Sequence, residues 1–381
     1  MRLGILGLGR AARQVLRALK GVTGIKLTAV ADTQREAFAI VRNLPEVKTF
    51  ESAEALAACQ DLDVIWIATP SALHCEHVML LASGGKHIIC EKPIALSLAE
   101  CDRMIESAAL AGVKLMLVSK SFDPPIRAMQ AVVGSGRLGK LVSINCLVFT
   151  DWMQRPRLAE EFDTEKGGGV VFRQAPHLVD IVRFLSGGLT REVRASAGQF
   201  DLRFATEGNY SAFLTFAEGA VATLTFNGYG YFDSSELTAG FGEGGDWQDP
   251  ETSGAIKNFS AAPVDVKGKS AYLASLDNVR VTKKGLPHYG QTIISCERGV
   301  IRQIPEGIRV YSANGVEDIK VAACERCTGE LIEMRDAIAR ERRVFPDGEW
   351  GRATLEICIG ILKSSETGQS IIPQWQTAPP H

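Results

Sequence analysis

The chain has 381 residues, of which 46% are hydrophobic and 23% charged, and its formal net charge is −2. That length predicts two domains rather than one core. The near-neutral balance carries no basic stripe, so no nucleic-acid partner is expected. No apolar run reaches the roughly 20 residues that span a bilayer, so no membrane partner is expected either.

The predicted elements begin with Arg2–Leu6, an apolar strand that starts so early that no leader peptide is expected. Short β-branched or apolar runs follow at Lys26–Ala31 and at 63–68, 86–90 and 114–118. Helical patterns separate them at 11–19, 71–82 and 97–111, the last opening on Ser97 with Glu100 three residues on, a capping box. This alternation predicts a doubly wound parallel sheet, an α/β Rossmann domain over residues 1–121. A connecting helix at 123–133 leads to a second texture. Alternating strands are predicted at Leu141–Phe149, 193–204, 210–216 and 220–227, with a helix inserted at 170–185. Residues 122–381 are therefore expected to form an α+β domain with a large, open, mostly antiparallel sheet. Residues 228–290 show little periodicity, which suggests a functional loop, an oligomer contact or an insertion. Helices are predicted at 326–340 and 350–363. No internal repeat is visible.

Nine scattered cysteines suit reduced thiols and a cytoplasmic setting. Cys324 and Cys327 stand alone without a second pair at zinc spacing, and the short cluster from His74 to His77 is too small to predict a metal. No metal is expected.

Gly7-Leu8-Gly9-Arg10-Ala11-Ala12 follows the first strand and opens the first helix as G-x-G-x-x-A. The first glycine permits a tight turn, the second lets amides approach a pyrophosphate, and the small third residue allows close packing. Asp32 ends the second strand, twenty residues past Ala12, where an acid can bond the ribose 2′-hydroxyl. NAD is the predicted cofactor; Arg35 nearby leaves NADP open. Thr69-Pro70-Ser71 ends the next core strand, with His74 one turn on. That turn would line the nicotinamide-side groove, and His74 reads equally well as a helix-surface histidine. Glu91-Lys92-Pro93 closes the fourth strand, where ligands of parallel sheets bind. A cation there is costly to desolvate, and desolvation lowers its pKa toward the range useful for moving a proton.

With these pieces in order, the chain resembles the Gfo/Idh/MocA oxidoreductase family. The resemblance is carried by GLGRAA, Asp32, ATPSALH at 68–74, EKP at 91–93 and GGGVVFRQAPHLVD at 167–180. It implies a nicotinamide cofactor, Lys92 as the catalytic lysine with His177 beside the substrate, and a homodimer or homotetramer assembled through the C-terminal sheet. The chain departs from the family's GGGxxxDxGxHxxD at one position: Arg173 stands where an acid is usual, while His177 and Asp180 remain. Arg173 is expected either to grip a carboxylate or to pair with Asp163 or Glu165. Asp151-Trp152-Met153-Gln154-Arg155-Pro156-Arg157 and the segments at 226–234 and 295–299 resemble one branch, the phthalate 4,5-cis-dihydrodiol (4,5-dihydroxyphthalate) dehydrogenases. That branch implies a carboxylated cis-dihydrodiol, such as 4,5-dihydro-4,5-dihydroxyphthalate, oxidised to its catechol by hydride transfer. Arg155, Arg157 and Arg173 would grip its carboxylates, with Asp151, Asn227 and Asp180 also near the substrate. Lys92 or His177 would take the hydroxyl proton. Two alternatives are a sugar or inositol dehydrogenase of the same family and a non-catalytic NAD(P)-binding regulator.

Overall fold

The first strand, β1 (Arg2–Leu6), buries four of its five residues and lies between β2 (Lys26–Ala31) and β4 (Val64–Ile67), both parallel to it. The computed structural model of the chain describes residues 1–155, 158–249 and 283–380. With β3 (Lys48–Phe50), β5 (His87–Cys90) and β6 (Leu115–Leu117), the first sheet runs β3-β2-β1-β4-β5-β6. All its pairs are parallel, so the strands are buried on both faces and read as continuous apolar runs. The helices α1 (Arg10–Ala18), α2 (Ala53–Ala57), α3 (His74–Ser83) and α4 (Leu98–Leu110) make the crossovers. The predicted capping box is present: Ser97 Oγ accepts from Glu100 N, and the Glu100 carboxylate accepts from Ser97 N, both at 3.2 Å.

α5 (Pro124–Gly134) leads into the second sheet, ordered β14-β13-β12-β11-β7-β10-β9-β8. Its strands are β7 (Leu141–Phe149), β8 (Thr190–Gly198), β9 (Asn209–Phe216), β10 (Val221–Asn227), β11 (Gln291–Cys296), β12 (Gly299–Ile304), β13 (Gly307–Ser312) and β14 (Gly315–Lys320). All pairs are antiparallel except β7–β10. Sequence reasoning places none of the last four strands. Their signal is in the turns, Glu306-Gly307 and Asn314-Gly315, which suit tight hairpins. The strand predicted at 193–204 is observed at Thr190–Gly198, because the chain turns away after Gly198 and Asp201 caps its own turn through Arg203 N.

The helix predicted over 170–185 is two helices, α6 (Gly169–Arg173) and α7 (Ala175–Leu185), broken at Gln174. Pro176 has no N–H to donate and its ring clashes with the carbonyl four residues back, so a helix from 169 does not run through it. The break turns out the carbonyls of Arg173 and Gln174, which the site uses.

After β14 the chain returns to the first sheet. α8 (Thr328–Ala339) packs Leu331, Met334 and Ala337 against Leu8, Ala12 and Val15. α9 (Gly348–Thr367) packs against α4, α7 and β8, so it binds the two sheets together. No described helix is long and apolar enough to cross a membrane.

Candidate active site

The turn after β1 needs its glycines for different reasons. Gly7 has φ +90°, and a Cβ there would lie 2.8 Å from the Ala68 carbonyl. Gly9, the residue before α1, would meet nothing within 4 Å, so the space above the helix start is open. No side chain caps this end and no acid stands in its first turn, which leaves backbone N–H groups for an anion. Ala12 is buried against β1, and Arg10 at the helix start is exposed. Asp32, 7% exposed, accepts from Leu8 N at 2.8 Å and Gln34 N at 2.9 Å, which ties the end of β2 to the glycine turn. Arg35 pairs with Glu51 at 2.7 Å. An open cradle, unfilled amides and an acid at the second strand's end fit a dinucleotide.

His74 stands between the next two strand ends. Its Nδ1 lies 2.9 Å from the Pro93 carbonyl and its Nε2 lies 3.0 Å from the Thr69 carbonyl. The ring is fully buried, which pushes its pKa down to about 4, so it is neutral and lies wedged between the Thr69-Pro70-Ser71 turn and the Glu91-Lys92-Pro93 turn, with one N–H to give to one of the two carbonyls. It is not a surface histidine. His77, the other end of the short cluster, faces Thr69 Oγ1 at 3.0 Å. Among the described residues, no three His, Cys, Asp or Glu side chains group as metal ligands.

Lys92 reaches across to the second unit, where its Nζ donates to the Arg173 carbonyl at 2.7 Å. Burial, and then the Arg173 charge, lower its pKa to about 7. Glu91 accepts from Trp66 Nε1 at 3.3 Å, and burial raises its carboxyl. His177, 5% exposed, stands on the first turn of α7, its ring edge-on to Tyr289 at 4.7 Å. Burial and then the Lys92 charge hold it well below the usual histidine range, so the imidazole is neutral. Tyr289 in turn donates to the Gln174 carbonyl at 3.1 Å and to Gln174 Oε1 at 2.8 Å.

The expected anion clamp is differently occupied. Arg173 pairs with buried Glu161 at 2.9 Å, not with Asp163 or Glu165. Arg155 pairs with Asp151 at 2.6 Å and donates to Thr150 Oγ1 at 2.7 Å. Arg157 lies outside the described residues. Asn227 Oδ1 accepts from Tyr229 N at 3.0 Å and so shapes a turn.

Asp180 requires a correction. It is 3% exposed and accepts from Ser119 Oγ at 2.5 Å, Ser121 N at 3.1 Å and Trp350 Nε1 at 2.7 Å. Three positions after His177 on α7, it points into the packing between α7, α9 and the turn after β6, with no free oxygen face for substrate.

Five residues reach the site without having been singled out in the sequence. Lys120, Arg326 and His177 line one cleft with Glu91, and Gln14 of α1 lies at its cofactor end. Glu243 pairs with Arg326 at 3.2 Å, and Tyr289 packs on His177. Lys120 alone carried a signal: it follows β6 as Lys92 follows β5. Glu243 and Arg326 come from segments with no motif.

The profile described as an oxidoreductase family with an NAD-binding Rossmann fold matches residues 1–119, and that of the GFO/IDH/MocA C-terminal domain matches residues 126–245. A 1-carboxy-3-chloro-3,4-dihydroxycyclohexa-1,5-diene dehydrogenase of Comamonas testosteroni is 34% identical, over 96% of this chain and 95% of that protein. An inositol 2-dehydrogenase of Rhizobium meliloti is 30% identical, over 62% of this chain and 72% of that one. A crystal structure from Bordetella bronchiseptica RB50 superposes with a TM-score of 0.90 at 34% identity, covering 98% of this chain and all of that one. The chain is a member of the Gfo/Idh/MocA family of NAD-dependent oxidoreductases, a dehydrogenase acting on CH–OH groups.

Proposed function

We propose that the enzyme oxidises a carboxylated cis-dihydrodiol to its catechol, with Lys92 as the base. One observation carries this reading: an amine with a pKa of about 7 is held 2.7 Å from the Arg173 carbonyl, near enough to the neutral His177 for its charge to depress that histidine. NAD, when bound, takes up the hydride that leaves the carbinol carbon. The hydroxyl proton passes to the Lys92 amine as the C–O bond becomes a carbonyl. The neutral amine has one lone pair and keeps one N–H on the Arg173 carbonyl, which aims that lone pair. His177, neutral and braced by Tyr289, bonds the same oxygen or its cis neighbour. The hydroxyketone then loses its ring C–H proton as it tautomerises to the aromatic catechol, which drives the oxidation forward. The carboxylated dihydroxycyclohexadiene in the name of the Comamonas relative supports this substrate class.

A second reading, a sugar or inositol dehydrogenase, is favoured by the Rhizobium relative and by the same pair of Lys92 and His177. Offering carboxylated cis-dihydrodiols and uncharged polyols while following NADH absorbance separates the two. Turnover of the dihydrodiols is expected; activity on polyols alone overturns the first reading. Assembly into a dimer or tetramer through the second sheet belongs to the proposal as well. It is supported by a row of side chains across that sheet, Phe213, Thr223, Asn145 and Ile293, which no described helix covers completely.

A further inference from the structure

Lys120 lies just beyond β6 and is 2% exposed. Its charge is met by Asp123 at 3.2 Å and by Glu243 at 3.7 Å. The same Glu243 oxygen, Oε1, lies 3.2 Å from Arg326 and 3.7 Å from His177 Nε2. One carboxylate oxygen therefore faces three nitrogens, two of them beyond hydrogen-bonding distance. The position suits an anion, and its occupant fits it loosely.

Glu243 differs from its partners in access. Its side chain is 35% exposed, while that of Lys120 is 3% exposed. It stands in a stretch with glycines at 240, 242, 244 and 245, of which Gly240 and Gly245 have φ of +88° and +71°. The stretch is held on both sides of Glu243: the Gly242 carbonyl accepts from His288 N at 2.9 Å and the Gly245 carbonyl from Gly285 N at 2.8 Å. The side chain can therefore leave by rotation while its backbone stays anchored. Burial pushes its carboxyl up, but the Arg326 and Lys120 charges hold it well below the usual range, so it sits there as an anion.

We propose that Lys120 and Arg326 form the subsite for the substrate's ring carboxylate, and that Glu243 holds this place as an internal carboxylate which the substrate's own displaces. The inference rests on the dihydrodiol reading and deepens it. The exchange conserves charge: one carboxylate leaves as another enters, so the enclosed cations keep a counter-charge throughout. An uncharged polyol offers no such replacement, since displacing Glu243 would leave Lys120 with Asp123 alone. The subsite thus selects by penalising the wrong ligand as well as by holding the right one. Arg155 and Arg173, already bonded to Asp151 and Glu161, have no such exchangeable partner on a glycine-rich loop.

The test measures benzoate binding to the NADH-loaded enzyme by calorimetry, with catechol as the uncharged control, in the parent, Lys120→Met and Glu243→Gln proteins. Lys120→Met is expected to weaken benzoate by about tenfold or more and Glu243→Gln to tighten it by about tenfold, with catechol unchanged in both. The near-isosteric change at the accessible Glu243 keeps the test independent of any folding defect at Lys120. Benzoate affinity that is unchanged or weaker in Glu243→Gln, or benzoate that binds neither the parent nor this variant, overturns the inference. Dihydrodiol turnover with a KM unchanged in Lys120→Met also overturns the subsite while leaving the reaction standing. Benzoate behaving as expected while no carboxylated dihydrodiol is oxidised upholds the anion subsite and removes the reaction.

Discussion

The Lys92 amine donates a 2.7 Å hydrogen bond to the main-chain carbonyl of Arg173, so the end of a strand in the first sheet is tied to a helix break in the second unit. The carbonyl is free because Pro176 stops α6 from running on into α7. The same residue acts through its side chain: the Arg173 guanidinium is the charge that adds most to burial in lowering the Lys92 pKa. The arginine that stands in an acid's usual place thus both orients the lysine and eases its loss of a proton.

If Lys92 is the base, only its neutral form is active. Activity is then lost as pH falls through about 7, and kcat/KM should rise with pH to a plateau above that value. Replacing Lys92 with Met should lower kcat by about 10²–10⁴-fold while NADH still binds, as followed by its fluorescence. A parent-like rate in this variant would remove the lysine from the mechanism.

Arg173→Gln should move that pH limb upward. Removing a positive neighbour favours the protonated amine. The measurement is the pH profile of kcat/KM for parent and variant. A lower rate with an unmoved limb would mean that Arg173 only shapes the wall.

Asp180→Ala should act on stability rather than on substrate binding. It strands the Trp350 indole N–H in a packed interior, while the Ser119 hydroxyl and Ser121 amide lose an acceptor but still bond each other, at a cost of about 2 kcal/mol. Thermal unfolding should begin several degrees lower, with KM within about twofold of the parent where the variant is folded. A raised KM at an unchanged Tm would return Asp180 to the substrate.

Asp32→Ser should shift cofactor preference toward NADP by about tenfold in kcat/KM, since the carboxylate that bonds a 2′-hydroxyl repels a 2′-phosphate. Steady-state rates with the two cofactors measure it. Because Asp32 also holds Leu8 N, some loss with NAD is expected too.

The sequence by itself determined what local rules determine. The parallel sheet was legible because strands buried on both faces read as apolar runs between helical patterns. Gly7, Gly9 and Asp32 stand at spacings that a phosphate-binding turn dictates, and Lys92 is conspicuous as a cation after a buried strand. The four strands between 291 and 320 were missed because each is only six residues long and mixes polar with apolar residues, so each shows too little alternation. Tertiary structure alone decided which charges meet. It paired Arg155 with Asp151 and Arg173 with Glu161, turned Asp180 inward beside Trp350, and wedged His74 between two turns. It also brought Lys120, Glu243 and Arg326, separated by 123 and 83 positions, around one point. Periodicity reports which face of an element is buried; the partner a buried charge finds depends on how elements distant in sequence pack.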